Sequence, residues 1–388
     1  MAVFKSKIAT RNGRKWYFSA CYMTANGERR RKKSGLYATK GEAQEAERTF
    51  LTTKTYDVMD ITFEKLYHQY MEYSGEIIKG STKYQKNNLV KNHLLSYFGM
   101  MKIHNINVNT VIAWKSKINK ITYKGGKKYT VSYKRNLFAQ LGAILRYAVR
   151  FCELKENVAS KIGTFQNKTE EIVTDEDKIR YITPDEYNLF TSVINNIVHK
   201  VFFAFLYYMG VRKGEAQALN WQDIFWNTSQ VRIVKTITTA TDELDENGKR
   251  FKITNTKNRK NRTIKMPSVL KDMLLELQRH YQEYEGYDDK WFVFGGHRHL
   301  NSNTIHNSKN KYFKLVQDIH GKSINKITTH EFRHSHASYL MSKGVRIESI
   351  ANRLGDTSEV VLKVYAHLFP ETEDDIIETL ESMETKCT

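Results

Sequence analysis

The apolar positions change rhythm several times along the chain, and each change marks a predicted boundary. Lys15 to Met23 (KWYFSACYM) has the dense aromatic run of a β-strand, Asn26-Gly27 reads as a turn, and Glu28 to Lys33 as a second strand loaded with arginine and lysine. Thr39 to Phe50 follows as a short helix, with Thr39 capping it and Glu42 three residues on. Lys54 to Asp60 reads as a linker. From Thr62 to about Gly163 the spacing is helical throughout. Phe63, Leu66, Tyr67 and Tyr70 mark one helix, and Ser81 to Tyr97, with Ser81 as N-cap, marks another. Val108 to Ile118 and Thr130 to Phe151 complete a bundle of about four, with Gly125-Gly126 breaking the chain between them. Phe165 to Arg180 is polar, mixed in charge and without apolar period, as a linker would be. Thr183 and Pro184 then open a helix as N-cap and first-turn residue. Beyond them helices alternate with a strand cluster, Val231 to Thr239, Arg250 to Ile253 and Arg262 to Met266, with a hairpin turn at Glu246-Asn247-Gly248.

The expected class is therefore α+β. Residues 1–55 should form a small three-stranded β-sheet plus a helix, and 59–163 a helical bundle. Residues 164–180 should link these to a mostly helical domain, 181–370, with a small antiparallel sheet. Charge sharpens the division. The 388 residues carry a formal net charge of +20, an excess that points to a polyanionic partner. Residues 1–55 hold 13 Lys/Arg against 4 Asp/Glu, and residues 59–163 hold 18 against 6. Arg29, Arg30, Arg31, Lys32 and Lys33, presented by a small sheet with Trp16, Tyr17, Phe18 and Tyr22, suit a β-ribbon lying in a major groove. In the bundle, Lys83, Lys134 and Arg135 are candidates for the same DNA-facing role, beside the bland reading of a lysine-rich solvated surface. Residues 371–388 reverse the sign, with 7 acids against 1 lysine, and keep a helical stripe of Ile376, Ile377, Leu380 and Met383. The start MAVFKSKIATRNGRK has no signal-peptide core and no stretch approaches transmembrane length, so no membrane partner is expected. Cys21, Cys152 and Cys387 lie far apart without metal spacing, which suggests a reduced, intracellular protein.

The chemistry concentrates near the C-terminus. In THEFRHSHASYLMSKG, read as a helix, His330, Arg333, His334 and Ala337 share one face at three- and four-residue spacing. A guanidinium beside imidazoles is suited to holding a phosphate and moving its protons. Tyr365 follows nine residues after Asp356 in an apolar run, and a tyrosine is a workable nucleophile only where cations stabilise its attack. Upstream, GVRKGEAQALNW sets Arg212 and Glu215 three apart at a helix start, and Lys257 lies in the basic turn TNTKNRKNR. As isolated features these would be a surface ion pair and an inert loop. His330, His334 and His336 lack the carboxylate or cysteine that would complete a zinc set. No metal or other cofactor is expected.

In this order, GVRKGEAQALNW, a hairpin lysine, HEFRHSHASYL, RLGD and VYAHLFP, the chain resembles the tyrosine recombinases, especially integrases of phages and conjugative elements. The resemblance is strong over residues 181–370. The bundle is similar to that family's core-type DNA-binding domain and residues 1–55 to its arm-type domain, both less specifically. It implies that Arg212 and Arg333 clamp a scissile phosphate, and that His330 handles the nucleophile's proton or hydrogen-bonds the phosphate. Lys257 would protonate the leaving 5′ oxygen, Tyr365 would attack to leave a 3′-phosphotyrosine, and Glu215 would support the first arginine. One position departs: Asp356 stands where the family usually has histidine, and an ionised carboxylate cannot donate a hydrogen bond. Asp356 is thus an orienter, or His336 or His367 takes over its role. The implied partners are double-stranded attachment sites of core and arm types, a homotetramer on DNA, and accessory DNA-bending or directionality proteins. The acidic tail is expected to pack in trans on a neighbouring protomer, and the implied location is the cytoplasm of a bacterial host. A type IB topoisomerase is the rival enzyme, and a non-catalytic DNA-binding regulator the rival of another class.

Overall fold

Contacts divide the chain into two units, Met1–Glu171 and Ile172–Thr388. The computed structural model describes residues 3–6, 10, 12–23, 29–54, 61–75, 78, 80–123, 125–166, 180–241, 244, 248, 250–256, 261–365 and 377, and for 22, 23, 29, 52–54 and 365 the backbone only. The turn at Asn26-Gly27, the expected linker beyond Lys54, most of the turn at 246–248, Lys257, His367 and the tail apart from Ile377 lie outside these residues, and Lys54 itself ends a helix.

In the first unit β1 (Val3–Lys5), β2 (Trp16–Met23) and β3 (Arg29–Lys33) form an antiparallel sheet in the order β1-β2-β3, and α1 (Lys40–Lys54) packs on β2. Thr39 caps α1 by accepting from the Glu42 amide at 3.1 Å, and Glu42 reaches back to the Ala38 amide at 3.1 Å. Phe18 and Ala20 are buried, and Phe18 lies 5.5 Å from the Phe50 ring of the helix. The two-residue period of a strand then turns Tyr17 and Ser19 to the opposite face. There Lys33 Nζ stands 4.3 Å over the Tyr17 ring, and Arg31 Nε donates to Ser19 Oγ at 2.9 Å.

The bundle comprises α2 (Phe63–Gly75), α3 (Gly80–Val90), α4 (Ser96–Phe98), α5 (Val108–Lys120), α6 (Val131–Phe151) and α7 (Val158–Ile162). A π-turn, Lys91–Leu95, joins α3 to α4, and a hairpin of β4 (Thr122–Tyr123) and β5 (Lys127–Lys128) lies between α5 and α6. Phe63, Leu66, Phe98, Trp114 and Leu141 are fully buried at its centre, each contributing about 1.5–3 kcal/mol by burial. Three expectations change here. Ser81 lies inside the first turn of α3 and is not its cap. Phe165, expected to begin the linker, is buried with its ring 6.2 Å from Trp114 and 6.1 Å from Phe138. Lys134, expected on a DNA-facing surface, is 9% exposed and donates to Asn119 Oδ1 at 2.9 Å, because its place on α6 falls on the core stripe.

The second unit is built on α9. Here α8 (Pro184–Ser192) opens with the expected capping box, Thr183 and Glu186 exchanging bonds at 2.8 and 3.3 Å. Next, α9 (Ile197–Met209) is apolar almost all round and buried accordingly. The elements that follow are α10 (Lys213–Gln217), β6 (Ile224–Phe225), β7 (Gln230–Ile233), β8 (Lys235–Thr238), β9 (Lys252–Asn255) and β10 (Arg262–Lys265). After them come α11 (Ser268–Gln282), α12 (Ser302–His320), α13 (Glu331–Ser342), α14 (Ile347–Leu354) and α15 (Ser358–Tyr365). Both α11 and α13 pack on α9. The strand expected over Val231 to Thr239 is two strands in two sheets, β10-β7-β6 and β8-β9. The break falls at Val234: its carbonyl accepts from the Thr256 amide at 3.3 Å, next to the end of β9, whereas Ile233 before it pairs with Arg262 of β10. Ala337 of α13, Ile350 and Leu354 of α14 and Val361 of α15 share a small core that fixes the last two helices. No helix among the described residues is long and apolar enough to cross a membrane.

Candidate active site

The C-terminal turn of α9 is the foundation of the site. Gly210 takes a left-handed φ of 63°, and a Cβ there would stand 2.5 Å from His336 Cδ2 and 2.8 Å from Leu354 Cδ2. Only glycine permits this turn and this close approach of α13 and α14. Gly210 O accepts from one terminal nitrogen of Arg333 at 2.8 Å, and the same nitrogen donates to Leu354 O at 2.8 Å. Arg333 is 3% exposed. It is thereby pinned between the ends of α9 and α14, with its other terminal nitrogen directed to Asp356.

Two residues past Gly210, Arg212 leads into α10. Its amide donates to Glu215 Oε2 at 3.0 Å and its guanidinium to Glu215 Oε1 at 3.3 Å. The remaining terminal nitrogen bonds the second oxygen of Asp356. One carboxylate, at the corner between α14 and α15, thus spans two guanidiniums that come from different helices.

Glu215 is buried and has a second cation. Arg262, at the start of β10, donates to its two oxygens at 3.2 and 2.7 Å, and gives Nε to Arg353 O at 3.0 Å. Burial pushes the Glu215 carboxyl up, but the hydrogen bonds and charges of Arg262 and then Arg212 outweigh it and hold it below the usual carboxylate range. Asp356 follows the same pattern: burial raises it, while Arg333 and then Arg212 bring it down. Three guanidiniums against two carboxylates leave the cluster with one net positive charge.

The imidazoles divide into two kinds. His330, at the N-cap of α13, is exposed on one side, with its ring 4.9 Å from that of His334. Partial burial, then the charges of Arg333 and Arg212, hold it below the ordinary histidine range. His336 is buried and committed on both nitrogens. Its Nδ1 bonds Tyr207 O at 2.8 Å, and its Nε2 accepts from Arg353 Nε at 3.0 Å. Burial and then Arg353 depress it to about 3. It cannot replace the missing donor at position 356, and that expectation is withdrawn: His336 braces α13 against α9.

Tyr365 is the last residue of α15, a helix anchored by buried Val361 and half-buried Val364; its ring is outside the described residues. Lys257 is outside them too, although the flanking Thr256 and Arg262 are fixed as described above. A polar cleft of about 680 Å³ runs beside Arg262, Lys265, Arg353 and Asp356. In the first unit Arg30, Arg31, Lys32, Lys33, Lys83 and Arg135 are exposed, and the side chain of Arg29 is not described. Sequence reasoning missed Arg262 and Arg353. A lone arginine opening a strand gives no local sign of a carboxylate partner 47 residues away, whereas Arg353 stood inside the RLGD box and was passed over.

Residues 180–372 match the phage integrase family, residues 62–119 the N-terminal SAM-like domain of phage integrases, and residues 6–54 an arm DNA-binding domain. The chain belongs to the tyrosine recombinases of the phage integrase family. This recombinase is 24% identical over 373 residues to the ICEBs1 integrase of Bacillus subtilis, covering 92% of this chain and 94% of that one. It is 25% identical over 346 residues to a XerC-like tyrosine recombinase of Caldanaerobacter subterraneus subsp. tengcongensis, covering 84% of each. In fold it is similar to the Tn1549 transposon integrase in a complex with circular-intermediate DNA, with a TM-score of 0.65 at 18% identity over 83% of this chain and 99% of that one. The tyrosine recombinase is an enzyme, a site-specific integrase.

Proposed function

We propose that this integrase inserts and excises a mobile element by cutting and rejoining attachment-site DNA through a 3′-phosphotyrosine intermediate. The reading is carried by one observation, the convergence of Arg212 and Arg333 from separate helices on a single anion position. A scissile phosphate held there has its non-bridging oxygens neutralised as charge builds on the phosphorane. Tyr365 Oη attacks phosphorus, the bond to the 5′ oxygen breaks, and Lys257 gives that oxygen a proton. His330 accepts the phenol proton or hydrogen-bonds the phosphate. Glu215 holds Arg212, and in the DNA-free chain Asp356 bridges the two guanidiniums. The 5′ hydroxyl of a partner strand then attacks the phosphotyrosine, so one phosphodiester replaces another and no ATP is consumed.

Each site cuts one strand, and exchange between two duplexes needs four cuts, hence a homotetramer on DNA. Residues 1–55 bind arm-type sites through the face carrying Arg31 and Lys33, residues 59–163 bind core-type sites with Lys83 and Arg135, and residues 181–370 perform the chemistry. Residues 371–388 pack in trans, DNA-bending or directionality proteins assist, and the work is done in the bacterial cytoplasm. The test uses a nicked duplex made from DNA flanking the element. Wild type should give a protein–DNA adduct that survives denaturation, and Tyr365→Phe should give none. An adduct in the variant would refute the role of Tyr365, and joining of two partner sites separates recombination from topoisomerase activity.

A further inference from the structure

Asp356 gives one carboxylate oxygen to Arg212 and the other to Arg333. A phosphodiester offers two non-bridging oxygens to paired guanidiniums in the same manner. We propose that Asp356 is a built-in competitor of the substrate phosphate, occupying the two-arginine anion site of the DNA-free chain and leaving it when the scissile phosphodiester binds. The inference rests on the phosphate-clamp reading of Arg212 and Arg333 given above.

Three features of the site make Asp356 the partner that moves. Arg333 is fixed, because one terminal nitrogen already serves Gly210 O and Leu354 O, both at 2.8 Å. The nitrogen left for a ligand is the one that Asp356 holds. Second, the Asp356 side chain is 24% exposed, against 3% for Arg333, and it borders the polar cleft beside Arg262 and Arg353. It can swing outward without opening the core. Third, Asp356 sits on a corner between two helices. Gly355 before it has a φ of 70° and Thr357 after it accepts from the Val360 amide at 3.3 Å, capping α15. Release of the carboxylate therefore acts on the start of the helix that ends in Tyr365, so phosphate capture and placement of the nucleophile share one joint.

The consequence is quantitative. A ligand that binds only the unplugged state has its apparent affinity reduced by the fraction of chains in that state, so a plug favoured tenfold costs about a factor of ten. The test is binding of inorganic phosphate to the full chain by titration calorimetry at fixed ionic strength. Asp356→Asn should bind phosphate about tenfold more tightly than wild type, and Arg212→Ala in the same chain should remove the gain. Equal or weaker binding by Asp356→Asn overturns the proposal and leaves Asp356 as an orienter, with the phosphate-clamp reading standing as long as wild type still forms its adduct. A gain that survives Arg212→Ala places the anion elsewhere and removes the clamp reading too. Circular dichroism checks that the variant folds, and Asp356→Ser supplies the same comparison if it does not.

Discussion

Glu215→Gln removes one charge from the centre of the site while keeping its volume. Glu215 has a side chain 1% exposed, and it accepts from Arg262 at 2.7 and 3.2 Å, from the Arg212 guanidinium at 3.3 Å and from the Arg212 amide at 3.0 Å. Glutamine keeps one acceptor but turns an amide NH2 toward a guanidinium. Arg262, 9% exposed in its side chain, then becomes a buried cation without its carboxylate. Breaking a buried pair from one side costs about 3–5 kcal/mol. A domain of roughly 200 residues loses about 2–4 °C of melting temperature per kcal/mol. The transition of the C-terminal unit should therefore fall by roughly 6–20 °C in scanning calorimetry of the full chain at pH 7. Adding Arg262→Met should recover most of the loss, because removing both charges is close to neutral. The folded Glu215 carboxyl is depressed, so its stabilisation is present above the unfolded value of about 4.3 and lost as pH falls through the folded one. The difference between wild type and variant should accordingly shrink below about pH 4. A fall of less than about 3 °C at pH 7, with no recovery in the double variant, would show that the Glu215 pair is not the keystone of the site.

Three further outcomes are expected. Arg212→Ala should abolish the covalent adduct yet leave duplex binding, with the slope of log affinity against log salt reduced by about 1; loss of binding in equal measure would argue against a clamp. His336→Gln should flatten the acid side of the stability profile. The buried imidazole is held at about 3, so its contribution is full above the unfolded value near 6.5 and fades as pH drops, by up to about 1.4 kcal/mol per unit. Urea titrations at pH 7, 6 and 5 read this difference, and parallel profiles would contradict it. Deleting residues 371–388 should impair synapsis of two sites in a gel-shift assay while leaving binding to one site unchanged. Unaltered synapsis would dismiss packing in trans.

What could be read from the sequence was what is local. The Thr183–Glu186 box and the three-residue step from Arg212 to Glu215 are written within one helical turn, and the structure has both. The burial of α9 follows from the apolar run VFFAFLYYM over residues 201–209. Long-range pairing was not legible: nothing near Glu215 announces Arg262, and nothing near Asp356 says that it bridges two arginines rather than one. Lys134 shows the limit from the other side. In a helix that also carries Arg135, Arg146 and Arg150, Lys134 looks like one more surface cation, and only the packing of α6 shows that it is buried on Asn119. The split of residues 231–239 into two strands depended on which partner strand each half pairs with, which side-chain alternation does not encode.

The pairing of each carboxylate with two guanidiniums has a consequence for how the enzyme answers to its medium. Arginines in proteins keep their protons, Glu215 and Asp356 are held ionised, and His330, His334 and His336 all sit below the ordinary imidazole range. From neutral to mildly alkaline solution these groups have nothing to titrate, so the clamp behaves as a constant background field. A rate that varies across that window reports on the Tyr365 phenol, Lys257 or the DNA, which makes a pH profile a selective probe of the groups outside the clamp.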